Sequence, residues 1–310
     1  MLKRRDFLKN TGTMALGGVL FQRLHASLIN EASAHPVGLQ LFTFFNVIDE
    51  DVPGTLKKIA AIGYREIESA FSKKGGFYGM KPKQFASLAK EMGLSWKSHH
   101  VLGAPFKMPP GAKLPAGPDG KPITIPPMKN LRDNMQELID GAAEGGVSYL
   151  VCATTPIGSL DEIKGSIEVL NKTGDACKKA GIGFAYHNHD AEFHEVEGQV
   201  PYHLLLSQTN PEKVKMELDL AWATKGGADP VELFTKHPGR FPLWHVKDLD
   251  KEMKNVLPAG EGVIDFKRIF SNAGLAGMKH FFVEHDLPAD PWASITTSFQ
   301  YLKKNAGMIG

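Results

Sequence analysis

Gly181-Ile182-Gly183-Phe184-Ala185-Tyr186-His187-Asn188-His189-Asp190 starts where a long amphipathic segment stops and ends in a cluster of metal-competent side chains. Gly181 suits the residue that closes a helix, because left-handed backbone has little steric cost without a Cβ. The apolar run behind it suits a buried strand, and its polar end falls where a strand enters a loop. The same cadence recurs at Gly63 before Glu66-Ile67-Glu68, Gly93 before Leu94-Ser95-Trp96, Gly146 before Tyr149-Leu150-Val151, and Gly274 before Phe281-Phe282-Val283. Helix, glycine, strand, repeated, is the rhythm of a parallel sheet with helical crossovers.

Working outward, strands are expected near 37–42, 66–69, 94–99, 149–153, 183–187, 214–218, 242–246 and 280–283. Helices are expected over 52–62, 82–92, 130–144, 159–179, 230–237, 265–273 and 291–305, the 130–144 helix burying Leu131, Met135, Leu138 and Ala142. Eight evenly spaced strands, with no G-x-G-x-x-G after the first, predict an α/β protein whose residues 35–310 form one (β/α)8 TIM barrel. The segment from Gly103 to Lys129, rich in proline, glycine and lysine, breaks the rhythm after the third strand. A connection of that length over the C-terminal mouth predicts a lid.

Lys3-Arg4-Arg5-Asp6-Phe7-Leu8-Lys9 resembles a twin-arginine export signal, followed by the apolar stretch Met14 to Phe21 and the small-x-small site Ala32-Ser33-Ala34. Residues 1–34 therefore read as a signal peptide and the mature chain as periplasmic. The apolar stretch is too short to span a bilayer, so no stable membrane anchor is expected. Residues 1–34 carry a net +3, so the net +2 of the 310-residue chain falls to about −1 without them. That balance argues against a nucleic-acid partner. Cys152 and Cys177 are the only cysteines and form no disulfide framework or zinc-ribbon spacing.

Active sites of such barrels lie at the C-terminal strand ends, where four successive strands carry polar clusters. These are Tyr186-His187-Asn188-His189-Asp190, Glu217-Leu218-Asp219-Leu220-Ala221-Trp222, Trp244-His245-Val246-Lys247-Asp248 and Glu284-His285-Asp286. Neighbouring strands lie about 4.8 Å apart, so inward side chains from adjacent ends converge. His187, Asp219, His245 and Glu284 are thus the expected ligands of one divalent ion, Zn²⁺, Mn²⁺, Co²⁺ or Mg²⁺.

These segments, with Gly260-Glu261-Gly262-Val263-Ile264-Asp265-Phe266, resemble the sugar phosphate isomerase/epimerase family with the xylose-isomerase-like barrel. The resemblance implies that Asp219, His245 and Glu284 hold a metal and that His189 and Lys247 contact substrate. Many family members place a glutamate, both ligand and base, where this chain has His187. Proton abstraction next to a carbonyl needs a metal to polarise the oxygen and a base in reach. Glu284 is the expected base on one face, with His187, His189 or Glu192 on the other. Glu68, His99 or His100, Trp222, Lys247 and Glu261 are candidate substrate contacts. The expected activity is a metal-dependent isomerase or epimerase of a small carbohydrate. The alternatives are a lyase or dehydratase of 3-oxo-sugars or 3-oxo-glycosides and a non-catalytic exported sugar-binding barrel.

Overall fold

The computed structural model describes residues 35–106, 128–305 and 307. It contains β1 (Gly38–Gln40), β2 (Glu66–Ser69), β3 (Ser95–Leu102), β4 (Tyr149–Thr154), β5 (Gly183–His187), β6 (Lys215–Asp219) and β7 (Leu243–Val246). A two-stranded antiparallel excursion, β8 (Asp248–Leu249) and β9 (Val256–Leu257), precedes β10 (His280–Val283). The order β1-β10-β7-β6-β5-β4-β3-β2 closes a fully parallel barrel of eight strands, as the glycine cadence predicts. The proposed signal at 1–34 and residues 107–127 of the expected lid lie outside the described residues.

Local chemistry explains the helices. Pro82, Pro201, Pro230 and Pro291 each open one, at a position whose N–H would have no intrahelical partner. Ser159 and Asp290 cap theirs by accepting from Glu162 N and from Trp292 and Ala293 N. Gly146 and Gly181 close theirs in left-handed backbone, at φ 74° and 78°. Before β10 the corresponding glycine is Gly277, at φ 74°, and not Gly274, which lies inside the short helix Ala273–Ala276. The helix expected over 265–273 is accordingly two pieces, Phe266–Phe270 and Ala273–Ala276. Helix Leu131–Gly145 buries Leu131, Ile139 and Ala142, with Met135 and Leu138 only partly covered. Non-helical backbone at Asn134 (φ −130°, ψ 26°) rotates the stripe away from the expected positions.

Most of the core lies between sheet and helices. A second cluster, Tyr149, Val151, Ala185, Leu243 and Phe282, plugs the barrel's lower interior. Strand side chains alternate, so the inward row that places Leu243 and Phe282 in this plug places His245 and Glu284 one step higher. The rings need room: a Cβ on Gly38 would stand 2.5 Å from Phe282, and one on Gly183 would stand 2.5 Å from Tyr149. Phe282→Ala is expected to cost about 3–5 kcal/mol of unfolding free energy, measured by urea titration. A loss below about 1 kcal/mol would show that the ring fills no packed space.

Candidate functional site

Two polar tiers rest on the apolar plug and share one imidazole. In the upper tier, one donor atom from each of Asp219, His245 and Glu284 lies within 4.8 Å of the others. In the lower tier, nitrogens of His100, His187 and His245 and an oxygen of Glu217 do the same. His245 belongs to both. Its Nδ1 is 2.9 Å from Glu284 Oε2 and 3.8 Å from Asp219 Oδ2, while its Nε2 is 2.6 Å from Glu68 Oε1 and 3.3 Å from Glu217 Oε2.

Each upper donor is aimed by its own element. Asp219 ends β6 and caps helix Leu220–Lys225, its Oδ1 accepting from Trp222 N at 2.8 Å, which leaves Oδ2 for the barrel axis. Glu284 follows β10, and its N–H is tied to Val246 O at 3.2 Å. Lys247, two residues past His245 on the same row, sends its ammonium among Asp219 Oδ2 at 2.9 Å, Asp286 Oδ2 at 2.7 Å and Glu284 Oε2. Below, Gln40 Nε2 donates to Glu68 Oε1 at 2.7 Å, and His100 Nε2 meets Glu217 Oε2 at 2.6 Å.

Burial and charge pull against each other at His245, His100 and Glu284, and act together at His187. Burial disfavours the imidazolium of His245, but Glu217 and Glu284 outweigh it and hold its pKa well above the ordinary value. His100 is likewise opposed by burial, yet raised to about 9 by Glu68 and Glu217. Burial raises Glu217 to about 7, and Glu68 adds to the effect. Burial works against ionised Glu284 too, but Lys247 and His245 prevail and hold its carboxyl far below the usual range. His187 is pushed well down by burial and by His245.

A divalent cation fits the upper tier. Glu68, Glu217, Asp219 and Glu284 are buried carboxylates whose positive neighbours are the Lys247 ammonium and the imidazoles of His100 and His245. Buried charge needs partners or a metal. Asp219 Oδ2 faces Lys247 but is out of line for a hydrogen bond, and Glu68 Oε2, Glu217 Oε1 and His187 Nδ1 have no hydrogen-bond partner among the described residues. One imidazole nitrogen and two carboxylate oxygens are donors that Zn²⁺, Mn²⁺ or Co²⁺ accepts.

The four donors expected from sequence divide between the tiers. Asp219, His245 and Glu284 come together, whereas His187 groups with His100 and Glu217. Glu68 lies beneath His245 as its hydrogen-bond acceptor and does not line the cavity above. His99 corrects to His100: adjacent residues of a strand face opposite ways, so His99 bonds Ser69 Oγ at 2.8 Å and packs 4.7 Å from the Phe77 ring. Trp222 covers Lys247, whose Nζ is 5.2 Å from its ring centroid. Lys247 itself is fully buried, held by carboxylates, and does not line the cavity. Glu261 does not reach the cavity either, because Asp248 ties its loop back through Gly260 N and Ile264 N at 3.0 Å each. Gly262 leaves no room for a side chain there, since its Cβ would stand 2.2 Å from Leu249 O. Of the expected substrate contacts, His189 and His100 line the cavity, together with Glu284 and His187. Glu217 escaped the sequence reading, although its place two residues before Asp219 puts both on one face of β6.

The cavity above the tiers has a volume of about 510 Å³. Glu192, Glu284 and Asp286 line it, each already bonded: Glu192 to Tyr186 OH at 2.6 Å and His189 N at 3.0 Å, the others to Lys247.

Residues 56–305 match the xylose isomerase-like TIM barrel family. The chain is similar to the inosose dehydratase of Geobacillus thermodenitrificans, 26% identical over 174 residues, or 49% of this chain and 58% of that relative. The match therefore spans less than two thirds of that protein. It is similar to the crystal structure of a sugar phosphate isomerase/epimerase from Parabacteroides distasonis at 28% identity and TM-score 0.70, covering 90% of this chain and 97% of that one. The structure of the IOLI protein with a binding zinc atom shares the fold, at TM-score 0.64 and 15% identity over 89% of this chain and 99% of that one.

Removing the ammonium exposes the charge imbalance. Lys247→Met is expected to cost about 3–5 kcal/mol in urea unfolding with chelator present, because it strands buried carboxylates. Excess Mn²⁺ should restore most of that loss. Equal stability of variant and parent in chelator would show that the carboxylates need no cation.

Proposed function

Since the chain belongs to the xylose isomerase-like TIM barrel family, we propose that it is an exported, divalent-metal-dependent enzyme that takes a proton from the carbon next to the carbonyl of a small sugar or keto-sugar. The observation that carries this reading is the convergence of Asp219, His245 and Glu284, all buried, with one donor atom of each within 4.8 Å of the others. Those three residues would hold the ion. A divalent ion held there supplies Lewis acidity to a sugar carbonyl oxygen. The zinc of the IOLI protein supports the reading from a chain of the same fold.

His189 is the base we assign. Its ring faces the cavity, 5.0 Å from that of His187, and makes no hydrogen bond among the described residues. Glu284 is occupied by His245 and Lys247, so it suits ligation better than proton transfer. Glu68 receives the Nε2 proton of His245 and thereby keeps Nδ1 turned to the upper tier, the arrangement that orients metal-bound histidines. The low exposure of both tiers keeps water from the reacting carbon.

Isomerisation or epimerisation is the leading reaction, supported by the likeness to the Parabacteroides isomerase/epimerase across nearly all of that chain. Elimination of water or an alcohol from a 3-oxo-sugar is the second reading. It is favoured by the prior commitment of all three carboxylates lining the cavity, which leaves no carboxylate free to serve as one of two opposed bases. The partial likeness to an inosose dehydratase supports it as well.

Incubation with free ketoses and 3-oxo-glucosides in D₂O separates the two. Deuterium in a recovered isomer supports the first, and release of water or aglycone the second. Chelation should abolish turnover and Mn²⁺, Co²⁺ or Zn²⁺ restore it. His189→Ala should lower kcat by about 10²–10⁴-fold with metal content unchanged. Full turnover in chelator would end the metal proposal. Export has its own check: the periplasmic protein should begin at His35, and Arg4→Lys with Arg5→Lys should hold the precursor in the cytoplasm.

A further inference from the structure

Taking the polar floor as the seat of a keto-sugar, as proposed above, we infer that the substrate is an oxo-glycoside, its ring ketone supplying the carbonyl, with a flat aromatic aglycone and no phosphate. The cavity is divided by chemistry. His100, His187, His189 and Glu284 form its floor, while Phe42, Phe45, Phe71, Leu102 and Ile157 form a wall above them. At about 510 Å³ it falls within the roughly 300–1,000 Å³ of sites that enclose drug-sized ligands, a space larger than a lone monosaccharide fills. A free sugar would leave the wall wet or bury hydroxyls against rings that offer no hydrogen bond. An aromatic group on the glycosidic oxygen would cover that wall and stack on it.

The wall is built for contact with something outside the core. Phe42, Phe45 and Phe71 all stay partly exposed. Phe42 lies in the 3-10 turn Leu41–Phe44 and Phe45 closes it, and the three-residue period brings them to one side with ring centroids 5.4 Å apart. Phe106 and Leu287 stand on the rim, 48% and 40% exposed, among the few large apolar side chains that the described residues leave in water. Leu287 is also held at φ 49°, a left-handed conformation uncommon for a side-chain-bearing residue. Strain that sets an apolar side chain on the rim of a site is a functional signal more than a packing one.

The charges lining the cavity speak against phosphate. Glu192, Glu284 and Asp286 are anionic groups there, and Lys73 is the one lysine or arginine among the described lining residues. Lys73 sits outside the floor, its Nζ bonded to Asn46 O at 3.3 Å and 5.2 Å from the Phe45 ring. Lys247 is spent on its three carboxylates. Apart from the floor itself, a phosphate would find only Lys73 to pair with, and no arginine to grip it at two points.

Calorimetry on the full-length metal-loaded protein tests this with three probes: phenyl β-D-glucopyranoside and methyl β-D-glucopyranoside, which lack a carbonyl and do not react, and glucose 6-phosphate. The phenyl glycoside should bind at least tenfold tighter than the methyl glycoside. Phe45→Ala and Phe71→Ala, both partly exposed, should erase that preference with metal content and methyl-glycoside affinity unchanged. Equal binding of the two glycosides, no phenyl-glycoside binding, or tightest binding of glucose 6-phosphate would each overturn the inference. Phenyl preference in a protein that exchanges no solvent deuterium into any sugar would remove the proposed reaction and leave the inference standing. Deuterium exchange without the preference would do the reverse.

Discussion

His245 is gripped on both ring nitrogens by carboxylates, Glu284 above and Glu68 below, and the rest of the site is arranged around that grip. A fully buried imidazole with two acidic neighbours cannot turn without leaving charge unpaired. Fixing the ring fixes the direction of Nδ1, and with it the point where Asp219 and Glu284 converge. Lys247 marks that point by placing an ammonium among the same carboxylates. The site therefore favours positive charge whether a side chain or an ion supplies it.

The barrel makes the grip affordable. Its lower interior is closed by Phe282, Tyr149 and Leu243, so the polar tiers rest on packed apolar surface and not on a water channel. Rows two residues apart carry the tiers upward: Leu243, His245 and Lys247 on one strand, Phe282, Glu284 and Asp286 on the next. One pleat thus sets both the plug and the chemistry. Above them the cavity turns from imidazole and carboxylate to phenylalanine within one chamber, so position along the barrel axis sorts a ligand's polar part from its apolar part.

Much of the scaffold was legible. β2, β5 and β10 fall on the expected residues, because glycine caps and short apolar runs are local signals. The excursion β8–β9 was not legible, since its two-residue strands carry no periodicity and depend on Asp248 pinning the loop. In the site, Asp219, His245 and Glu284 were readable as strand-end donors. Glu261 was misleading: its flanking glycines serve close packing, Gly262 against Asp248 and Leu249 and Gly260 against the Tyr301 ring, and the side chain between them stays off the cavity.

By itself the sequence determined the order of helices and strands, the strand ends that carry polar side chains, and the families of chemistry those residues allow. Each follows from capping, propensity and alternation over a few neighbouring residues. Only the tertiary structure decided that His100 rather than His99 faces the axis, that His187 keeps company with Glu217, and that Lys247 is tied up by three acids. Glu68 and His245 are 177 residues apart along the chain yet share a hydrogen bond. Such pairings depend on the stagger between strands as the barrel closes, a quantity summed around the whole sheet that no local stretch of sequence contains.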